Sequence, residues 1–231
     1  ARTSRSRRPY LSNHYVEEIM KFTVDVKENA TKISKDIANI ILAQMQKSFR
    51  LATDNISKQL PTVVLNGIKA QPEYNALRSG DLMYEFGLVN PASKVDAILD
   101  VWASNIEILY LPPKLQGYQV VAVYDIGMIK SDYNDVLSLP SAQQVIKDGS
   151  LPWLEWLLIR GGDVLVPNYS VQLGPSDYSR TGGAIMVEGS KDYRVDARYA
   201  GDIGNNWITR TATSIDREIK QLITNSLKGT L

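Results

Sequence analysis

The sequence predicts an α+β fold: a long N-terminal helix, a central, mostly antiparallel β-sheet with short helices, and a C-terminal amphipathic helix. Two observations carry the helices, since apolar residues recur at steps of three and four over residues 30–60 and again over residues 208–222. The third is the stretch between them, where runs of β-branched and aromatic residues are broken by proline and glycine. Strands gathered in the middle with helices at both ends do not fit an alternating parallel sheet.

Residues 1–13 are polar and Arg-rich, with Pro9 and no periodicity, and read as an arm, flexible or ordered by a partner. Residues 14–231 are expected to form a single α+β domain. In it, Ala30, Ile33, Ile37, Ile41, Met45, Phe49, Ala52, Ile56 and Leu60 trace one stripe on a helix from about Glu28 to Leu60, which Pro61 is expected to stop. At 1.5 Å per residue this helix is about 50 Å long and should protrude from a domain of this size. Asn90-Pro91 reads as an N-cap followed by proline, opening a short helix with Val95, Ile98, Leu99 and Trp102 inward. Ile106–Leu111 and Tyr118–Ile129 read as strands, with Pro112-Pro113 as a boundary. Pro140–Asp148 and Pro152–Arg160 read as short helices stopped by Gly149 and Gly161-Gly162. Val164–Leu173 reads as a strand, and Ala184–Glu188 with Tyr193–Val195 as a hairpin turning at Gly189-Ser190-Lys191. Asn205 or Asn206 should cap the last helix, with Ile208, Ala212, Ile215, Ile219 and Leu222 buried and Gly229 closing it.

The chain has 231 residues, 44% of them hydrophobic and 22% charged, and its formal charge is +1. Arg2, Arg5, Arg7 and Arg8 precede the first acid, Glu17, so without these four arginines the rest of the chain carries −3. This is a mildly acidic body with a basic arm, and net charge alone does not argue for nucleic acid. Cysteine is absent, which rules out disulfides and thiolate metal sites and suits assembly in a reducing cytoplasm. There is no apolar run of membrane-spanning length, and no membrane partner is expected. The chain opens on Ala1, as after trimming of an initiator Met, without a secretory apolar stretch.

Catalytic chemistry finds few candidates. His14 is the only histidine and lies beside the arm, so Ser-His-Asp, Cys-His and multi-His zinc arrangements have no partners. Nucleotide-binding and nucleophile-elbow motifs are missing, and the Gly161-Gly162 and Thr181-Gly182-Gly183 runs read as turns. Asp132, Asp135, Asp163 and Asp177 are the remaining acid/base candidates, although Asp132-Tyr133-Asn134-Asp135 reads as a solvated turn. Ser179 has no neighbouring base. The expectation is a protein that is not an enzyme and has no catalytic residue, metal or cofactor.

The run Leu151–Leu158 carries two tryptophans three residues apart among leucines. A helix apolar on more than one face is either fully buried or shared with a neighbour, and aromatic anchors dominate protein interfaces. Trp153, Trp156 and Leu157 are therefore candidate interface residues, together with Trp207 and Phe49.

The segments Leu151–Gly162 (LPWLEWLLIRGG), Tyr178–Met186 (YSRTGGAIM) and Tyr199–Ala212 (YAGDIGNNWITRTA) resemble the neck, or tail-completion, proteins that connect head to tail in tailed bacteriophages. The order and spacing match from about Leu151 to Leu227. Asn75–Leu88 (NALRSGDLMYEFGL) resembles the RSG-containing turn that follows the long helix in that group. Before about Gln71 only the general layout is similar, and residues 112–149 are longer than in the smaller members.

The resemblance implies a structural virion protein at the head–tail junction, assembled in the host cytoplasm. It would be a subunit of a closed homo-oligomeric ring that encloses the DNA channel. Its partners would be further copies of itself, portal/adaptor or head-closure proteins, and tail-terminator or tail-tube proteins, with non-specific contact to genomic DNA in the lumen. Arg180 and Arg210, inside the matching segments, are candidates for bidentate contacts with a neighbour's carboxylates. Three readings of Arg2, Arg5, Arg7 and Arg8 stay open: contact with DNA phosphates, folding onto an acidic neighbouring subunit, or a solvated tail. The alternatives at the level of function are a tail-terminator ring capping the tail tube and, in another class, a DNA-binding module using the arm.

Overall fold

A computed structural model describes residues 18–23, 31–116, 119–127, 133–147 and 149–230. The fold is α+β, as the sequence predicts. The arm with Arg2, Arg5, Arg7 and Arg8 lies outside the described residues, as do His14 and Asp132.

Helix α1 runs from Thr31 to Ala70, about 60 Å, with Pro61 inside it. The expected stop at Pro61 is corrected. Proline removes one helical hydrogen bond, leaving the Ser57 carbonyl without its partner, but Ser57 is solvent-exposed and water can take that place. Ile56, Leu60, Val64 and Ile68 are buried on both sides of the proline and carry the helix through. Further on, Gly67 lets α1 approach the C-terminal segment closely, since a Cβ there would overlap the Ile215 side chain.

The single stripe expected on this helix is corrected as well. Met45, Phe49, Ala52, Ile56 and Leu60 are buried, whereas Ile33 is 60% and Ile37 38% exposed. Each step of four residues overshoots a full turn by about 40° at 3.6 residues per turn. Four such steps, from residue 33 to residue 49, carry the apolar row from one side of the helix nearly to the other.

After α1 the chain forms α2 (Pro72–Ser79) and α3 (Asp81–Glu85), joined at Gly80, where only a turn was expected. Helix α4 (Pro91–Ser104) buries Val95, Ile98, Leu99 and Trp102 as its periodicity predicts. Asn90 stands at its N-cap in a left-handed conformation, φ 54°, and its side chain makes no cap bond.

The main sheet has the order β1–β3–β2 and is antiparallel throughout, with β1 (Glu18–Thr23) and β2 (Glu107–Gln116) flanking β3 (Gln119–Gly127). Pro112-Pro113 does not end β2. The prolines sit where the register shifts between Leu111 and Lys114, in an edge strand that tolerates missing N–H donors. One face of the sheet meets α1 through a stack of Phe49, Tyr110 and Tyr124, with ring centroids 5.4–6.3 Å apart.

A short helix α5 (Asn134–Leu137) and a single 3₁₀ turn at Pro140–Ala142 follow. The helix expected over Pro140–Asp148 is corrected to that turn and a hairpin of β4 (Gln144–Ile146) and β5 (Gly149–Leu151). The Gly149 φ of +150° suits glycine in the hairpin turn. Helix α6 (Trp153–Leu158) is the expected apolar helix in shorter form. Strand β6 (Tyr169–Leu173) pairs with β7 (Ala184–Glu188), which corrects the expected pairing of β7 with residues 193–195. Tyr193 instead forms an isolated bridge with Val166.

The expected continuous C-terminal helix is two helices, α7 (Trp207–Ser214) and α8 (Asp216–Lys228), with the break at Ile215. Thr211, Thr213 and Ser214 turn their hydroxyls back onto the carbonyls of Trp207, Thr209 and Thr211 at 2.8–3.0 Å, a habit that bends helices. The buried side chains of α1–α8 and β3 make one contiguous core. No helix among the described residues is long and apolar enough to cross a membrane.

Candidate functional site

Two of the segments singled out in the sequence, residues 151–162 and 199–212, meet at one residue, Asn206. It is wholly buried and caps α7, accepting from the N–H groups of Ile208 and Thr209 at 3.0 and 3.1 Å. The Thr209 hydroxyl accepts from the Asn206 N–H at 2.8 Å, which completes a reciprocal cap. The Asn206 amide donates to the Tyr133 hydroxyl, the Leu158 carbonyl and the Asp202 carbonyl at 2.8–3.1 Å. One side chain thereby joins α6, α7 and the loop before α7. Burial pushes the Tyr133 hydroxyl above its ordinary pKa.

The surrounding contacts tie the same segments together. The Gly201 N–H donates to the Trp156 carbonyl at 3.1 Å, and a Cβ on Gly201 would overlap the Leu157 carbonyl. Tyr84 packs its ring over Gly183, Phe86 stands 6.0 Å from Trp153, and Trp102 meets Trp207 edge-on at 5.3 Å. The Trp207 indole N–H reaches the Ile68 carbonyl at 3.2 Å, near the end of α1.

This arrangement corrects the reading of the aromatic residues as interface anchors. Trp153, Leu157 and Trp207 have no exposed surface, and Phe49 and Trp156 are 1% and 5% exposed. Their apolar area is already covered within one chain, and a covered side chain has nothing to offer a neighbour. Arg210 is likewise engaged at home, paired with the wholly buried Glu73 and donating to the Asn205 side chain at 3.0 Å. A second carboxylate would have to compete with that buried pair. Arg180 is exposed and donates to the Val145 carbonyl at 2.9 Å, pinning the β4–β5 hairpin beside Gly87.

Of the described carboxylate candidates, Asp135 holds structure. Asp135 accepts from the Asn105 amide and the Val136 N–H, and Asp163 and Asp177 are exposed in loops. Among the described residues no group of His, Cys, Asp or Glu is placed to hold a metal ion. Burial raises the Glu85 carboxyl above its ordinary value, the neighbouring Tyr193 hydroxyl is raised by its own burial and by Glu85, and hydrogen bonding from Arg198 lowers Asp196. The Tyr193 hydroxyl and one Glu85 oxygen are buried without meeting hydrogen-bond geometry, so the pair is a polar contact and not a formed bond.

Exposed apolar side chains stand apart from this junction. Leu109 and Leu111 of β2 are 57% and 49% exposed on the sheet face turned from α1. The β6–β7 hairpin exposes Tyr169, Leu173 and Met186, and α1 exposes Ile33, Ile37, Ile40 and Leu51. Sequence reasoning missed Ile40, Leu51, Leu109 and Leu111 because an outward apolar residue carries no local mark. It also missed Glu73 and the hub role of Asn206. The cap signal for Asn206 was legible, but its long-range partners, up to 73 positions away, were not. No protein-family model, curated protein or solved structure matches this chain.

Proposed function

We propose that the chain is a non-catalytic structural subunit of the closed ring that joins head and tail in a tailed-phage virion and encloses the DNA channel. The observation that carries this reading is the meeting of the family-like segments. Residues 75–88, 151–162, 178–186 and 199–212 are distant in sequence yet pack on one another through Tyr84–Gly183, Phe86–Trp153, Gly201–Trp156 and Asn206–Leu158. Segments that maintain one another's packing are expected to recur together in a family of scaffolds, whatever its neighbours are.

A second feature is compatible with it. Ring subunits joined head-to-tail need two unlike faces, and the outer side of β2 and the outer side of the β6–β7 hairpin both present apolar side chains on different elements. In the ring, portal/adaptor or head-closure proteins and tail-terminator or tail-tube proteins would flank the subunit, and the arm arginines would meet DNA or an acidic neighbour.

The test is removal of this chain from the virus that encodes it. Heads and tails that stay unjoined or separate readily, seen by electron microscopy, are the expected result, and stable joined particles without the chain overturn the reading. Labelling isolated heads and isolated tails then assigns the tier, since a tail-terminator ring would stay with tails. Duplex DNA binding that is lost on deleting residues 1–8, with normal particle joining, would favour the DNA-binding module instead.

A further inference from the structure

The N-terminal half of α1 carries an apolar row that the described residues of the chain do not cover. Ile33, Ile37, Ile40 and Leu51 are 60%, 38%, 70% and 49% exposed. With the exposed Gln44 and Lys47 between them, they occupy positions 33, 37, 40, 44, 47 and 51. This alternation of four and three is the seam of a two-helix coiled coil. At about 100° per residue, the seam lies roughly 130° around the helix from the buried face at Met45, Phe49 and Ala52. We propose that it docks against the same seam of a second copy of this chain, antiparallel and about a two-fold axis.

Charge complementarity selects the occupant and the direction. Asp36, Ala43 and Arg50 follow one another at seven-residue spacing along the outward flank of the seam, and all three are exposed. Asp36 and Arg50 have no ion pair within the chain among the described residues. In an antiparallel pair Asp36 of each copy faces Arg50 of the other, giving two ion pairs, and Ala43 meets Ala43. Across the seam, Ile33 then packs on Leu51, Ile40 on the stem of Gln44, and Ile37 on the alkyl stem of Lys47, whose ammonium reaches water at the edge. A parallel pair instead sets Lys47 against Lys47 and leaves Asp36 and Arg50 beside uncharged residues. Like charges facing across a helix pair destabilise it. An isologous contact of this kind closes on itself and leaves the β2 and β6–β7 faces free. The inference does not rest on the ring reading and describes the free subunit in solution.

Sedimentation equilibrium of the full chain across micromolar concentrations tests it, and the expected species has twice the chain mass. Ile37→Glu should give a monomer that loses at most the helical signal of the leading turns of α1 and keeps the melting temperature of the dissociated wild-type chain, because this side chain is outside the core. Asp36→Arg should weaken pairing at least tenfold, and adding Arg50→Asp to it should restore pairing. As the chain has no cysteine, oxidation reads the geometry directly. Ala43→Cys should link to itself, Asp36→Cys alone should not, and Asp36→Cys mixed with Arg50→Cys should. A wild-type monomer at all concentrations, a dimer or larger ring unaffected by Ile37→Glu, or self-linking Asp36→Cys each overturns the proposal. If Ile37→Glu lowers thermal stability without changing mass, the seam is covered by this chain's own residues and the proposal also fails.

Discussion

Asn206 shows how much one polar side chain can hold at the residue scale. It caps a helix and satisfies the Leu158 and Asp202 carbonyls and the Tyr133 hydroxyl. Asn206→Ala removes the cap and strands buried partners, so a loss of about 2–4 kcal/mol is expected in urea unfolding. Asn206→Asp keeps the cap but loses the donors and should recover only part of it. Gly201→Ala meets a backbone carbonyl that cannot swing away, and about 3 kcal/mol or more is expected from the same measurement. Phe49→Ala opens the stack with Tyr110 and Tyr124 and should cost about 3–5 kcal/mol. Glu85 gives a pH signature. Burial raises its carboxyl above the ordinary 4.5, so the folded state holds the proton more tightly than the unfolded chain. Its favourable contribution is complete below the unfolded value and disappears as pH rises through the raised one. Glu85→Gln should therefore melt higher than wild type at pH 7, with the difference closing toward pH 4.

The elements show where local signals compete with packing. Pro61 is a strong local stop, yet four buried aliphatic residues around it keep α1 continuous. Pro61→Ala should stabilise the protein by up to about 3 kcal/mol, read as a higher urea midpoint, because the proline is tolerated and not required. The break at Ile215 has the opposite origin, since a periodic apolar row predicted one helix and three back-bonding hydroxyls divided it. Pro112-Pro113 survives inside β2 because the strand is at the sheet edge and shifts register there. In each case the residue's propensity was legible, and its outcome depended on what lay beside it.

For the whole molecule, α1 divides into a part from about Met45 onward that buries one face and a leading part that touches the core only through the partly buried Ile41 and Leu42 among its described side chains. A leading helix of some fourteen residues is marginal by itself in water. Amide exchange over residues 31–44 is expected to be much faster than over residues 48–68 in a dissociated chain. In the two-fold pair it is expected to slow together with its partner. Equal protection of both parts in a proven monomer would show that α1 stands without a partner.

The sequence by itself determined the α+β class, the helix-rich ends, the inward face of α4, the inward positions of Ile208, Ile215 and Ile219, a cap at Asn205 or Asn206, and a composition without cysteine and with one histidine. These follow from periodicity and composition, which act within a few residues. Only the tertiary structure decided that Trp153, Trp156, Leu157, Trp207 and Phe49 face their own core, that Arg210 is held by Glu73, and that β7 pairs with β6. It also decided that the apolar row of α1 is two rows on two sides. A hydrophobic side chain gains the same free energy from any apolar cover, whether its own chain or another supplies it. The sequence therefore marks which residues must be covered, and the fold alone says which are still uncovered when the chain has closed on itself.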